Sequence, residues 1–188
     1  MKRFLTICLM ISFVLVCTAQ NHLMFMGIPM TGSILDFSEK LKTKGFIITS
    51  SEDNVVFMKG IFTDKDVNVG ITSSPSTDEV CRIMVFFDTK DSWSSLKRDY
   101  NYLKNMYEQK YTLDKEFHFF INPYNEGDGY EMQAVKSDKC RYSSFFIADS
   151  GNIHIEISKL GRIVVVYEDS NNTKIEQKEK TTKILEDI

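Results

Sequence analysis

The feature that most constrains the fold is a pattern that occurs twice: an amphipathic helix followed by three segments with strand character. In the first half, strands are expected at 55–62, 67–72 and 80–87; in the second half, they are expected at 142–148, 153–158 and 162–168. Residues 67–72 alternate apolar and polar side chains, as a strand with one buried face does. The sequence therefore predicts an α+β protein of two layers, in which helices back antiparallel sheet.

The helices carry recognisable ends. Ser33 is a good N-cap with Asp36 three residues later, and Gly45 is a typical stop, with Phe46 placed to contact Leu41. The second helix should start near Asp91 or Ser92, and its apolar stripe repeats at intervals of three and four residues: Trp93, Leu96, Tyr100, Leu103 and Tyr107. A short third helix is expected to begin at Asp128, with Glu131 completing a capping box.

The two halves resemble each other in sequence at their last strands. One reads I-M-V-F-F-D (83–88) and the other V-V-V-Y-E-D (164–169). Tandem αβββ repeats would explain the match, because repeated units bury together a face that neither buries alone; a chance likeness of two meanders is the alternative. The expected division is a signal peptide at 1–19, units at 20–90 and 91–170, and a charged tail at 171–188.

The first nineteen residues have the features of a secretory signal peptide. Lys2 and Arg3 precede an apolar run at 4–16, and Cys17-Thr18-Ala19 supplies small residues before Gln20. The run is shorter than the roughly 20 residues that a membrane span needs. We expect cleavage after Ala19 and a periplasmic or secreted protein with no later transmembrane segment. The alternative is a lipoprotein anchored at Cys17, although Val16 is larger than lipoprotein processing prefers.

The charge balance excludes one class of partner. Without Lys2 and Arg3 the chain has 21 basic and 26 acidic residues, a net charge of −5, and no basic cluster. Nucleic-acid binding is therefore not expected. Residues 21–30 are apolar and contain Pro29, which indicates an extended arm, while the tail from Thr173 is either a frayed helix or disordered.

Cys81 and Cys140 are the two cysteines that follow the signal peptide. In an oxidising compartment they could form one disulfide. They could equally be buried thiols, which behave as small apolar side chains. The sequence leaves both possibilities open.

No catalytic motif stands out in the chain. It contains no G-x-S-x-G, H-E-x-x-H or C-x-x-C sequence and no glycine loop for phosphate. His22 lies in the arm, His118 alternates with two phenylalanines, and His154 shares a strand face with Glu156. That last pair could be an acid–base or metal pair, but an exposed sheet face explains it more simply. No catalytic, cofactor-binding or metal-binding residue is assigned, and no cofactor is expected.

Two further features suggest sites and have plainer explanations. The loop N-P-Y-N-E-G-D-G (122–129) is rich in oxygen ligands, but Tyr124 stands where a calcium loop needs Asp or Asn, so a turn is expected. Aromatic side chains are dense at Phe117, Phe119, Phe120, Tyr124 and Tyr130 and again at Phe145 and Phe146. They indicate a two-layer core or an interface.

Several segments carry a resemblance to a known family: H-L-M-F-M-G-I-P (22–29), the helix G-S-I-L-D-F-S-E-K-L-K-T-K-G-F (32–46), the helix with Trp93 and Tyr100, D-G-Y-E-M-Q-A (128–134) and G-N-I-H-I-E-I (151–157). The sequence resembles a family of uncharacterised exported proteins of Gram-negative gut bacteria whose mature N-terminus is like N-H-L-x-F-M-G-I-P. The resemblance implies export, and no activity comes with it. The layout is similar in topology to the tandem fold of β-lactamase-inhibitor-protein-like proteins, and fold does not imply function.

The functional expectation is an exported, non-enzymatic binding or interaction module. Its partner would be another envelope or extracellular protein, or a small ligand. The alternative is a cell-envelope hydrolase whose site is assembled from distant residues, with His154 and Glu156 as its best candidates. A broad, exposed aromatic sheet would favour the binding module, and a pocket of converging titratable groups would favour the enzyme.

Overall fold

The computed structural model describes residues 21–186, so the signal peptide expected at 1–19 and Cys17 lie outside the described residues. The helices are α1 (Ile34–Lys42), α2 (Trp93–Glu108), α3 (Glu131–Lys136) and α4 (Ser170–Glu186). The strands are β1 (Met24–Phe25), β2 (Ile28–Pro29), β3 (Ile47–Glu52), β4 (Val55–Phe62), β5 (Lys65–Ser73), β6 (Val80–Phe87), β7 (Thr112–Phe120), β8 (Cys140–Ala148), β9 (Gly151–Ser158) and β10 (Arg162–Asp169).

Eight of these strands form one antiparallel sheet in the order β3-β4-β5-β6-β10-β9-β8-β7. Each half of the chain is a meander of four neighbouring strands, and the halves meet where β6 pairs antiparallel with β10. Helices back this sheet, so the predicted α+β, two-layer fold is confirmed.

Each meander has four strands, whereas the sequence indicated three. The additional strands, β3 and β7, are the two edges of the sheet. Both are mostly exposed and contain a register shift, between Ile48 and Ser50 in β3 and between Leu113 and Lys115 in β7. An edge strand that buries little has no need of a regular apolar alternation, so the signal used to find strands is weak there.

The register does not support the segment match that suggested a duplication. Ile83 pairs with Tyr167, and Val164 pairs with Phe86. Ile83 and Tyr167 belong to the hydrophobic core, whereas Val164 lies on the opposite face. The matched segments therefore begin on opposite faces, a one-residue slip that reverses every side chain. Each half still contains a helix followed by four meandering strands, although α3 interrupts the second half between β7 and β8.

One face of the sheet carries the hydrophobic core. Along a single row of register partners, its side chains are Val56, Ile71, Ile83, Tyr167, Ile153, Phe146 and Leu113. The apolar stripes of α1 and α2 and the hairpin formed by β1 and β2 pack onto this face and belong to the same cluster. We call it the covered face.

The helix ends follow the sequence closely for α1 and α2. Ser33 accepts the N–H of Asp36, and Ser92 accepts the N–H of Ser95. Gly45 has a φ of +89°, and the Phe46 N–H reaches the Leu41 carbonyl, which completes the predicted Schellman ending. Helix α3 begins at Glu131, later than predicted, because the Asp128 carboxylate accepts the N–H groups of Asn125 and Tyr130 within the preceding turn.

The segment expected to be an extended arm is a tight hairpin. Met26 and Gly27 both have positive φ, +51° and +78°, as in a type I′ turn. Leu23, Phe25, Ile28 and Met30 are buried in the core, so this segment completes the covered face. The carboxylate of Asp169 holds it there by accepting the Leu23 N–H at 2.7 Å.

The sequence predicted that the tail is either a frayed helix or disordered; in the structure it forms helix α4. Asp169 also caps it by accepting the N–H groups of Asn171 and Asn172. The Asn172 amide donates to the carbonyls of Met30 and Val80, which ties the helix start to the hairpin and to β6. Beyond Lys180, α4 is exposed. No helix among the described residues is long and apolar enough to cross a membrane.

Cys81 and Cys140 are free and buried, so the disulfide possibility is excluded. They lie on β6 and β8, which are separated by β10 and β9. Three strand spacings amount to roughly 14 Å, far beyond the Cα separation that a disulfide allows. Burial raises the pKa of Cys81 to about 11 and that of Cys140 to about 12, so both are protonated thiols at neutral pH.

Candidate functional site

The second face of the sheet is apolar along its middle and contributes nothing to the hydrophobic core. We call it the open face. One row of register partners crosses all eight strands on this face: Ser50, Phe57, Gly70, Met84, Val166, His154, Phe145 and Lys115. The next row runs through Asn68, Phe86, Val164, Glu156, Ser143 and Phe117.

Large apolar side chains on this face remain accessible. Phe117 is 43% exposed, Phe119 47% and Ile147 52% at the β7–β8 side, and Ile61 is 62% exposed at the β4 side. Towards the centre, Val164 and Val166 are buried between taller neighbours on the adjacent strands. Exposed apolar side chains that are grouped on one face of a protein often mark a binding site.

Aromatic rings pack against one another and against the sheet on the open face. Phe145 stacks on His154 with ring centroids 5.3 Å apart, and Phe117 meets Phe145 edge-on at 6.2 Å. On the other side, the rings of Phe57 and Phe86 lie against Gly70, where a Cβ would stand only 3.3 to 3.5 Å from them. Because Gly70 has no side chain, the two aromatic rings can pack close to the backbone of the sheet.

Charged groups border this apolar surface. Arg82 donates to Glu168 at 2.7 Å across β6 and β10, and its other end lies 3.8 Å from Glu176 of α4. The Lys115 ammonium stands 4.9 Å from the centre of the Phe145 ring. An apolar, aromatic centre with a charged rim is the usual anatomy of a protein interface.

The predicted His154–Glu156 pair lies on the open face without catalytic geometry. Both side chains are half-buried, and His154 has an aromatic neighbour in Phe145. Ser143 is the register partner of Glu156, yet no hydrogen bond joins it to either residue within the described chain. Burial lowers the pKa of His154, while the carboxylates of Glu156 and Glu168 oppose that shift. The ring is therefore neutral at neutral pH and adds to the apolar surface.

His118 belongs to a different group of residues, on the covered face. The Tyr100 hydroxyl of α2 lies 2.6 Å from the Ser144 hydroxyl and 3.1 Å from His118 Nε2. Burial lowers the pKa of His118 and raises that of Tyr100 well above its usual value. Tyr100 and Ser144 are fully buried, so a substrate cannot reach the hydroxyl groups of this network. Its arrangement suits a structural tie between α2, β7 and β8.

Asp99 is a buried carboxylate that the sequence analysis did not single out. It lies on α2 and is surrounded by cations: Lys90 Nζ at 3.4 Å, Lys65 Nζ at 3.9 Å and the Arg98 guanidinium at 3.0 Å. Lys65 comes from the first half of the chain and Asp99 from the second. The group therefore joins the two halves on the side away from the open face. Its position on α2, four residues before Leu103 of the apolar stripe, is the signal that could have revealed it.

The loop at 122–129 contains turn geometry, as predicted. Gly127 and Gly129 have positive φ, and Glu131 accepts the Gly127 N–H. The Glu126 carboxylate accepts hydrogen bonds from Lys97, Trp93 and the Tyr142 hydroxyl. The hydrogen bond from Lys97 is the main cause that lowers the pKa of Glu126. Across residues 21–186, no cluster of three or more His, Cys, Asp or Glu side chains could hold a metal ion.

The dense aromatic residues divide between the two faces. Phe146 is buried in the core and Phe120 packs against it, whereas Phe117, Phe119 and Phe145 lie on the open face. Strand alternation separates neighbours in sequence onto opposite sides. Phe120 and Phe146 therefore belong to the core side, whereas Phe117, Phe119 and Phe145 stay at least partly accessible.

No family model matches the chain, and no curated protein or solved structure is significantly similar to it.

Proposed function

We propose that this protein is an exported, non-enzymatic binding module that recognises a protein partner through the open face. One observation carries the proposal: the middle of a long sheet is apolar on both faces, yet α1 and α2 pack onto only one of them, and α4 reaches the other near Arg82 towards the start of β6. Burying apolar surface is the main favourable term in protein association. A partner that covers the open face would be held there by the burial of apolar surface, as α1 and α2 are on the covered face.

A protein suits this surface better than a small ligand does. The accessible phenylalanines are spread from β4 to β7 across the sheet rather than gathered around one cavity. Small-molecule sites are concave and enclose most of their ligand. Phe145, Phe117 and Phe119 at the β7–β8 side would be the anchoring residues, because aromatic side chains dominate the energy of protein interfaces.

Position-specific photocrosslinking in cells tests this proposal. A benzoyl-phenylalanine probe at position 117 or 145 should crosslink one protein of the cell envelope or its surroundings. The matched control is the same probe at position 102, since Tyr102 is also an exposed aromatic residue but lies on α2, away from the open face. A crosslinked species that requires positions 117 and 145 and disappears in Phe119→Ser supports the proposal. Crosslinks at position 102 alone, or none at the open face, would contradict it.

Export is part of the proposal and rests on residues 1–19. Intact mass spectrometry of the protein recovered from the cell envelope should show a chain that begins at Gln20. A mass that includes a diacylglyceryl group on Cys17 would replace a soluble module with a membrane-anchored one.

The absence of an enzymatic role has its own test. Purified protein should not hydrolyse cell-envelope glycans, peptides or lipids. If it does, and His154→Ala or Glu156→Gln abolishes the activity while the far-UV circular dichroism stays unchanged, the alternative of an envelope hydrolase is correct instead.

A further inference from the structure

The N-terminal hairpin carries a pattern of soft metal donors that the open face does not use. His22, Met24 and Met26 alternate with Leu23 and Phe25, which point into the core. Met24 is 43% exposed although it lies in a strand. Met26 adopts a φ of +51° at a turn position where Asn, Asp or Gly is usual. Met26 packs partly against the core, whereas hydrophobic burial does not account for Met24.

A third methionine meets them from a different element. Met106 of α2 is 46% exposed, and it lines a cavity of about 220 Å³ together with Met24 and Met26. A second cavity, of about 540 Å³, is lined by His22 and again by Met24. The two cavities share Met24, Lys110 and Tyr111, so they adjoin along the boundary between the hairpin and α2.

His22 is oriented as a ligand would be. Its Nδ1 lies 3.2 Å from Asp169 Oδ2, and the Asp169 side chain is fully buried. A carboxylate at this nitrogen holds the proton there in the neutral ring and leaves the lone pair on Nε2. Metal-binding histidines typically have such a carboxylate partner, which sets the tautomer and the ring direction.

The donor set selects the chemistry of the ion. Thioether sulfurs are neutral and soft, and together with imidazole they favour Cu(I) over the hard cations Mg²⁺ and Ca²⁺. Two charged residues lie near these donors. Asp149 lines the larger cavity, and the Lys110 ammonium lies 5.1 Å from the centre of the Tyr111 ring. We propose that His22, Met24, Met26 and Met106 form a binding site for Cu(I) at the hairpin–α2 boundary.

Competition with a coloured Cu(I) chelator tests the site. Under anaerobic conditions, purified protein should withdraw one equivalent of Cu(I) from its bicinchoninate complex. Met24→Leu combined with Met106→Leu keeps side-chain volume and should weaken Cu(I) binding by at least about tenfold, as should His22→Asn. The matched control is Met84→Leu, which changes a methionine on the open face and should leave the affinity unchanged.

A second measurement does not depend on variants. In protein labelled with ¹³C at the methionine methyl groups, Ag(I), a redox-inert substitute for Cu(I), should shift the resonances of Met24, Met26 and Met106 but not that of Met84. Failure of the wild-type protein to compete for Cu(I), or Ag(I)-induced shifts elsewhere, would overturn the proposal. Cu(I) binding that survives the methionine variants but is lost in Cys81→Ala with Cys140→Ala would place the ion at the thiols and would also overturn it.

Discussion

The two faces of the sheet have similarly apolar central rows, but they differ in how far other elements of the protein cover them. On the covered face, the row from Met58 to Ile155 is aliphatic throughout and fully buried: Met58, Val69, Val85, Val165 and Ile155. On the open face, the row from Phe57 to Phe145 is also largely apolar, but both phenylalanines stay partly accessible, and α4 reaches this face near Arg82. Apolar residues on a sheet thus do not by themselves indicate which face the protein buries.

The difference extends to the polar groups of each face. On the covered face, Ser144 and Tyr100 satisfy each other inside the core. On the open face, the polar residues Asn68 and Glu156 lie beside the apolar register partners Phe86 and Val164 and can reach water. A surface that is partly apolar and partly solvated can exist in a free protein and still favour association. The covered face should therefore account for stability and the open face for recognition.

The largest effect should come from a cavity under α2. Leu103→Ala removes a fully buried side chain from the covered face and should lower the free energy of unfolding by about 2–5 kcal/mol. Urea denaturation measures this change, with Tyr102→Ala, an exposed neighbour on the same helix, as the matched control. A loss below about 1 kcal/mol would mean that the stripe does not face a packed core.

A second test removes one hydroxyl from the buried network. Tyr100→Phe leaves Ser144 without its hydrogen-bond partner inside the core and should cost about 1–3 kcal/mol. Tyr102→Phe should change the free energy of unfolding little, because that hydroxyl belongs to an exposed side chain. Equal values for the two variants would show that the network does not stabilise the fold.

Stability should also depend on pH through the histidines of both faces. Burial lowers the pKa values of His118 and His154 in the folded protein. The unfolded chain therefore binds protons more readily, and the free energy of unfolding should fall as the pH drops below about 6.5, the ordinary histidine value. His154→Leu should flatten this dependence between pH 7 and pH 5. An unchanged slope would indicate that His154 is solvated rather than part of the apolar surface.

The smallest effect on folding is expected on the open face. Phe119→Ser replaces a half-exposed side chain on an edge strand and should change the free energy of unfolding by within about 0.5 kcal/mol. The same change should weaken crosslinking to the partner. If Phe119→Ser destabilises the fold as much as Leu103→Ala does, the two faces do not divide stability and recognition as described.

The sequence alone predicted most of the helices and strands. The stripe Leu96–Tyr100–Leu103–Tyr107 predicted the buried side of α2, and the Ser33 and Gly45 signals located α1 within a residue or two. Strands β4 and β6 begin and end where apolar content predicted. These features are local, because capping and apolar periodicity depend on neighbours within one or two turns of the chain.

The site was less predictable than the fold. Alternation placed His118 and Phe117 on opposite faces, yet nothing local told which of those faces the helices would cover. Asp169 illustrates the same limit, since it binds the hairpin at Leu23 through a contact 146 residues away in sequence. Met106 likewise lines one cavity with Met24 only because α2 lies beside the hairpin.

The sequence by itself determined the α+β class, the helices and the inner strands, since backbone propensity and periodicity act over short distances. The tertiary structure alone decided that β6 pairs with β10 to make one continuous sheet, that Cys81 and Cys140 stand too far apart to bond, and that α1 and α2 cover one apolar face and not the other. The physical reason is that pairing and burial depend on contacts between distant segments, whose free energy no local pattern records.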